Sequence, residues 1–237
     1  GFLFGIRLAA DRIDLVNRLI SNPVPNCSKT VIYYNRLDDL VQFRPANSGN
    51  PVIIEVTDID INETLERLAP EALILKGLEA QGKVSSYTSF VLLQWYAEKT
   101  AYPFFVHGGV GYFTAPGMFA AGASGIVLDS QLYLAAECPV SDQVRTVLSN
   151  LEESDSTVLT DSSGTRRRFF SKLGTKIVKD LKLKGESGFY SDKDISLYDE
   201  IKSNYSPINS INDNPAQKLF YLGQDAVFAK YFIKKSS

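Results

Sequence analysis

Residues 103–131 read PFFVHGGVGYFTAPGMFAAGASGIVLDSQ, and this stretch decides the fold. Two short apolar runs, 103–107 and 125–129, each end in small or polar residues, and a helical stretch separates them. Continuously apolar runs of this length are typical of parallel strands that helices cover. The stretch therefore predicts a strand–helix–strand unit with a glycine-rich or polar loop after each strand.

The same alternation extends toward the N-terminus. Four further apolar runs predict strands at residues 2–8, 30–34, 51–57 and 72–77. Helical periodicity predicts helices at residues 11–20 and 61–68, and a third helix whose buried stripe consists of Phe90, Leu93, Trp95 and Tyr96. Strands that alternate with helices of this length indicate the α/β class.

Two features favour a (β/α) TIM-type barrel over a doubly wound sheet. Several strands end in residues that suit a ligand site, and barrel sites are assembled from many strand ends. No Gly-x-Gly-x-x-Gly motif follows the first strand. A closed barrel needs about eight strands, so we expect an incomplete barrel of about six. The missing strands would lie upstream of Gly1 or be supplied by another segment, and the chain would be a fragment of a longer protein.

The character of the sequence changes after residue 150. A polar break at 152–156 is followed by two strand-like runs, 157–159 and 166–171, that predict a β-hairpin. The three arginines at 166–168 are expected to lie on a solvated hairpin, or to contact an acidic carrier protein. Residues 182–214 predict an irregular surface segment, and residues 215–233 predict a final helix.

These features divide the chain into two parts. We expect a partial barrel at 1–150 and a docked appendage at 151–237. Because an incomplete barrel exposes two strand edges, we expect the appendage or a second copy of the chain to cover them.

Composition excludes several classes of protein. The chain has 237 residues and a formal net charge of −2, which argues against a protein that coats nucleic acid or an anionic membrane. No apolar run approaches the roughly 20 residues that span a bilayer. The two cysteines have no metal-ligand spacing. We expect a cytoplasmic protein with no metal site and no nucleic-acid or membrane partner.

The loops after the last two strands predict an anion site. Adjacent Gly108 and Gly109 let backbone N–H groups approach a phosphate closely, and Asp129, Ser130 and Gln131 follow the next strand. In phosphate-binding barrels these loops form the phosphate site. The alternative is that the glycines only make tight turns.

Three phrases resemble one known family. They are LILKGLEAQGKVSSYTSFVLLQ at 73–94, GGVGYFTAPGMFAAGASGIVLDSQLYL at 108–134 and LGQDAVFAKYF at 222–232. They resemble the nitronate monooxygenases, formerly called 2-nitropropane dioxygenases, and the related flavin-type enoyl-acyl-carrier-protein reductases. The resemblance is closer still to the version found as a domain in large polyketide or polyunsaturated fatty acid synthases.

The resemblance implies an FMN-binding barrel whose phosphate lies around Gly82, Gly108, Gly109 and Ser130. Where family members have a catalytic histidine, this chain has Lys83. A lysine stays protonated near neutral pH unless it is buried, so Lys83 would pair with a flavin or phosphopantetheine phosphate, act in catalysis, or be a solvated loop residue. The candidate cofactor-binding residues are Lys76, Gly82, Gly108, Gly109, Asp129, Ser130 and Gln131, and the candidate catalytic residues are Lys83 and His107.

The leading hypothesis is an FMN-dependent oxidoreductase-like domain of a larger polyketide or fatty acid synthase. Its substrate would be an acyl thioester on a carrier arm or a small nitronate-like anion, and its partners would be the other synthase domains and an acyl carrier protein. The second hypothesis is a non-catalytic structural or docking domain that keeps the barrel shape. A non-flavin phosphate-binding barrel is the third.

Overall fold

A computed structural model of the chain describes residues 3–22, 24–43, 52–59, 61–138, 140, 142–152, 155–160, 164–170, 183 and 221–231. The strands are β1 Phe4–Ala9, β2 Cys27–Tyr33, β3 Val52–Val56, β4 Ala72–Lys76, β5 Gly82–Val84, β6 Phe104–His107, β7 Gly125–Val127, β8 Ser156–Thr160 and β9 Arg166–Phe170. The α-helices are α1 Ile13–Ser21, α2 Leu37–Gln42, α3 Asn62–Leu68, α4 Ser89–Lys99, α5 Ala115–Ala120 and α6 Asp142–Ser149, and 3₁₀ helices span Ser130–Leu134 and Gln224–Tyr231.

Six strands form one parallel sheet in the order β1-β2-β3-β4-β6-β7. The sheet curls into a half-barrel, which confirms the predicted α/β class and the incomplete TIM-type barrel. All six predicted strands are present, although β2 begins at Cys27, ahead of the β-branched run at 30–34. The helix α2 and the three-residue strand β5 are absent from the sequence prediction because neither is long enough to show a clear periodicity.

A second, antiparallel sheet has the order β5-β9-β8. Strands β8 and β9 confirm the predicted hairpin, and residues 161–163 of its turn lie outside the described residues. Strand β9 also pairs with β5, which follows β4 in the loop above the half-barrel. The hairpin is therefore joined directly to the segment that contains Lys83. The domain boundary at residue 150 stays a prediction.

Within the described residues 221–231, the predicted final helix is of the 3₁₀ type and spans Gln224–Tyr231. It begins at Gln224, and Tyr221 forms a β-bridge with Phe169 just before it. The reason is that Gly223 N donates to Ser130 Oγ and Gln224 N donates to Glu79 O, so other loops bind the amides at the start of the segment. The remainder of 215–233 and nearly all of the predicted surface segment at 182–214 lie outside the described residues.

The two faces of the parallel sheet differ sharply. Alternate strand residues point to opposite faces, and the outward residues of the central strands, which include Ile54, Leu75 and Val106, are fully buried against the helices. The inward set combines charged residues such as Glu55 and Lys76 with apolar ones such as Ile74, and it faces a cavity. This inner face is the part of the fold that can bind a ligand.

Helix α4 covers the outer face with a stripe that differs from the predicted one. It buries Leu92, Leu93 and Tyr96, and Trp95 is partly buried against the same core. Phe90 is 37% exposed, so its predicted place in the buried stripe is wrong. The reason is that the buried positions of α4 follow the spacing 89, 92, 93 and 96, which turns residue 90 toward solvent.

Neither a membrane-spanning helix nor a metal-ligand cluster occurs in the described part of the chain. None of its helices combines the length and the apolar character needed to cross a membrane. Within the same residues, no group of three or more histidine, cysteine, aspartate or glutamate side chains is arranged to hold a metal ion. Cys27 and Cys138 are both partly buried free thiols.

Candidate active site

A cavity of about 600 Å³ lies between the concave face of the half-barrel and the small antiparallel sheet. Inner-face side chains of all six parallel strands line it, together with residues of β5 and β9. Its volume lies within the range of roughly 300–1,000 Å³ that is usual for ligand sites. The cavity is at the carboxyl ends of the parallel strands, where barrel active sites are found.

A buried carboxylate joins two cations in the floor of this cavity. Arg7 donates to both oxygens of Glu55, from Nε at 2.9 Å and from Nη2 at 2.7 Å, and Lys76 Nζ donates to Glu55 Oε1 at 3.4 Å. Burial on its own raises the pKa of Glu55, but the Lys76 and Arg7 charges outweigh it and lower the pKa to about 2. Glu55 is therefore ionised at neutral pH and holds both cations in place.

His107 and Asp129 form a second polar pair in the cavity wall. His107 Nε2 lies 2.6 Å from Asp129 Oδ2. Burial raises the pKa of Asp129, but the hydrogen bond and charge of His107, with the Ser130 amide and the Lys76 charge, outweigh burial and lower that pKa. His107 Nδ1 has no hydrogen-bond partner among the described residues. The carboxylate therefore orients the imidazole through one ring nitrogen.

Lys83 lies at the junction of two cavities. Its Nζ donates to Tyr34 O at 2.8 Å and sits 3.8 Å from the centre of the Tyr34 ring. Burial lowers the pKa of Lys83 to about 8, with the charges of Arg167 and Lys76 adding to the effect and those of Asp58 and Glu55 opposing it. The residue lines the larger cavity and also a second one of about 310 Å³. Lys83 is thus a partly buried cation of β5, placed to act on a ligand in either cavity.

The loops after β6 and β7 lie beside the larger cavity and bind the C-terminal segment. Gln131 Nε2 donates to Asp225 Oδ2 at 2.8 Å, and Ser130 Oγ accepts from Gly223 N at 2.8 Å. Gly108 has a φ of 101°, and a Cβ there would come within 2.8 Å of Ala80 N. The glycine therefore allows the loops after β4 and β6 to pack closely.

Asp225 contacts the loops at which the sequence analysis predicts a bound phosphate. Its side chain is almost fully buried. The pKa of Asp225 is raised well above its usual value by burial and by the charges of Asp129 and Glu79, while the backbone N–H of Gly109 acts in the opposite direction. A protein carboxyl group thus contacts the loops in which the sequence predicts a phosphate.

The structure brings five of the predicted site residues to the larger cavity. These are Lys76, Gly82, Lys83, His107 and Asp129. The predicted phosphate ligands Gly108, Gly109, Ser130 and Gln131 lie in the neighbouring loop cluster, and their role as ligands stays a prediction.

Sequence reasoning missed several residues of the site. Glu55 had a signal, since it is a single charge inside the apolar run 51–57, whereas Arg7 had none beyond its place in a strand. The expected solvated arginine run is wrong for Arg167 and Arg168, which are 3% and 7% exposed. Both faces of β9 are covered, since Arg167 lines the cavity and Arg168 Nε donates to Leu78 O. The contact between Asp225 and Gln131 joins residues 94 positions apart, and no local pattern indicates it.

Comparison with solved structures finds the same fold in several proteins. FabK from Thermotoga maritima superposes with a TM-score of 0.75 at 19% identity, over 95% of this chain and 70% of that one. A nitroalkane oxidase from Streptomyces ansochromogenes gives a TM-score of 0.63 at 16% identity, over 95% of this chain and 75% of that one. The enoyl reductase domain of MlnA, from the macrolactin biosynthesis cluster of Bacillus amyloliquefaciens, gives 0.55 at 18% identity, over 84% and 57%.

No family model and no curated protein sequence matches the chain. At these identities the structural likeness establishes the fold. The chain therefore shares the barrel fold of FabK, a nitroalkane oxidase and an enoyl reductase domain, which is the fold that its sequence motifs predict.

Proposed function

We propose that the chain is an FMN-dependent oxidoreductase-like barrel domain with its flavin in the larger cavity. The observation that supports this most strongly is the charge of the cavity. Among the described residues that line it, four side chains are cationic, Arg7, Lys76, Lys83 and Arg167, and two are carboxylates, Glu55 and Asp129. The excess of cations among these described residues suits a phosphate monoester, which has a charge of about −1.5 to −2 near neutral pH.

The residues present fit this group in size and in donor chemistry. The cavity has about 600 Å³ at the strand ends, and Lys83 and Arg167 supply cationic donors on the wall formed by β5 and β9. When bound, FMN supplies hydride or electron chemistry. His107 would hold or move a proton at Nε2, which lies against Asp129 Oδ2, and Lys76 would present its ammonium group beside Glu55.

The substrate and the assembly context belong to the same proposal. The MlnA domain is an enoyl reductase domain from a biosynthesis cluster, which supports a place for this chain in a larger polyketide or fatty acid synthase. The substrate would be an acyl thioester on a carrier protein or a small nitronate-like anion. The other synthase domains and an acyl carrier protein would be the partners.

A blocking substitution tests where the flavin binds. Ile74 lines the cavity, so we expect Ile74→Trp to weaken FMN binding at least about tenfold, because the indole would take up volume that the flavin needs. Flavin fluorescence titration measures the affinity. The matched control is Val91→Trp on the exposed side of α4, which should bind FMN like the original protein. Equal FMN affinity in both variants would contradict the proposed location.

A non-catalytic docking domain is the second candidate. It is favoured by one observation, the contact of Asp225 with the loops where a phosphate was expected. It predicts a folded chain that binds no flavin. The same titration separates the two candidates.

A further inference from the structure

The cavity of about 310 Å³ lies beside the larger one and has a polar lining. It is bounded by the loops after β2 and β3, by residues 83–86 and by residues 164–166 of the hairpin. Its volume is at the lower end of the usual range for ligand sites, roughly 300–1,000 Å³. This second cavity can therefore hold a small ligand or one part of a longer ligand.

The second cavity lies between solvent and the larger cavity. Its lining includes the exposed residues Ser86 and Gly164 at the rim and the buried residue Thr57 in the wall. Asn35 and Lys83 line both cavities. A long ligand that enters past the rim would thus have its far end in the larger cavity.

The polar group that is open to a ligand at this junction is the side chain of Asn35. Lys83 Nζ is already held by Tyr34, through the bond to Tyr34 O and the contact with the ring. The side-chain amide of Asn35 makes no hydrogen bond to a described residue, whereas its backbone O accepts one from Thr165 Oγ1 at 3.5 Å. A side-chain amide has both donors and an acceptor, so Asn35 can bond to the N–H or the C=O of a ligand amide.

A carboxylate oxygen in the same lining is also open. Tyr34 OH and Thr57 Oγ1 both donate to Asp58 Oδ2, at 2.7 and 3.0 Å. Within the described part of the chain, Asp58 Oδ1 has no donor of this kind. A carboxylate oxygen accepts hydrogen bonds from N–H groups. The wall therefore favours a ligand that has N–H donors.

Arg166 adds a partly exposed cation to the lining. Its guanidinium has no carboxylate partner among the described residues. An anionic group at the outer end of a ligand would gain from this charge, while the amide groups of the same ligand lie at Asn35 and Asp58. The lining thus matches a chain with amides along its length and an anion at its outer end.

We infer that the second cavity binds the phosphopantetheine arm of an acyl thioester, with the thioester end in the larger cavity. The arm has amide groups that match Asn35 and Asp58 Oδ1, and a phosphate that matches Arg166. The reaction at the thioester rests on the proposed function. The inference selects the acyl thioester as its substrate, because a small nitronate-like anion has no part that would fill a second cavity.

A blocking substitution at the rim tests the arm site with pantetheine as the probe and ligand-observed NMR as the measurement. We expect Ser86→Trp to weaken pantetheine binding at least about tenfold, because the indole would fill the entrance. FMN affinity should not change, since Ser86 lines the second cavity and not the larger one. Val91→Trp on the exposed side of α4 is the matched control and should bind both ligands like the original protein.

Substitution of the polar groups tests the chemistry of the site. Asn35→Leu should weaken pantetheine binding about three- to tenfold, the effect of about one lost hydrogen bond. Asn62→Leu, which lines a different cavity, should leave it unchanged. Phosphopantetheine should bind more tightly than pantetheine, and Arg166→Gln should remove that difference. Equal pantetheine affinity in Asn35→Leu and Asn62→Leu would overturn the inference.

The two proposals fail separately in this experiment. If the protein binds no FMN but Ser86→Trp still weakens pantetheine binding, the proposed function fails and the arm site stands. If FMN binds and pantetheine does not, or if Ser86→Trp and Val91→Trp bind pantetheine equally, the arm site fails and the flavin site stands. Pantetheine should also bind to the protein saturated with FMN. Competition between the two ligands would place the arm in the larger cavity and overturn the inference.

Discussion

Replacing Glu55 by glutamine is expected to lower the free energy of unfolding by about 3–5 kcal/mol, the usual cost of removing one partner from a buried ion pair. Glu55 is 4% exposed and bonded to both Arg7 and Lys76. The substitution leaves Lys76, itself buried, without this counter-charge. Urea denaturation measures the change.

An exposed ion pair provides the matched control. Glu71 pairs with Lys29 at the surface, and Glu71→Gln should cost less than about 1 kcal/mol because water screens that pair. A cost for Glu55→Gln no larger than that for Glu71→Gln would contradict the role of Glu55 as the centre of the buried charge cluster.

The lowered pKa of Glu55 makes the stability of the fold depend on pH. The folded-state pKa of Glu55 is about 2, below its unfolded value of about 4.3. Its contribution is therefore present above the unfolded pKa and is lost as pH falls from about 4.3 toward 2. The difference in stability between the original protein and Glu55→Gln should shrink across this window. A constant difference would contradict the ionised state of Glu55.

Replacing Gly77 by alanine is expected to destabilise the fold by about 1–3 kcal/mol, as overpacking does. A Cβ at Gly77 would lie 2.6 Å from Ser89 Cα and would also collide with Ser89 N, and both are backbone atoms at the start of α4. The overlap can be removed only if the loop that leads from Gly77 to Lys83 moves. We therefore expect FMN affinity to fall as well. Urea denaturation and flavin titration measure the two effects.

A glycine with open surroundings provides the control. Gly117 lies in α5, and a Cβ added there would meet nothing within 4 Å. Gly117→Ala should stabilise the protein by about 0.5–1 kcal/mol, because alanine loses less backbone entropy in a helix. Equal effects of the two substitutions would contradict the packing described at Gly77.

The parallel sheet could be predicted from sequence because its signal is local. Each of its strands is a short apolar run, and turn residues end the runs near Gly77, Gly108 and Ser130. The small sheet could not be predicted in full, since β5 has only three residues and its partner β9 lies far along the chain.

The candidate site could be predicted only in part for the same reason. His107 ends β6 and Asp129 follows the adjacent strand β7, so their proximity is implied by the barrel. The positions of Arg167 and Asp225 depend on long-range pairing with β5 and with Gln131. Such contacts arise from tertiary packing, and no periodic pattern in the sequence indicates them.

Gel filtration of the protein with equimolar FMN tests the proposed flavin site most directly. We predict that the flavin absorbance elutes with the protein at a one-to-one ratio, because the cavity at the strand ends complements FMN in volume and charge. Elution of all the FMN at the position of the free flavin, with the protein folded, would contradict the flavin site.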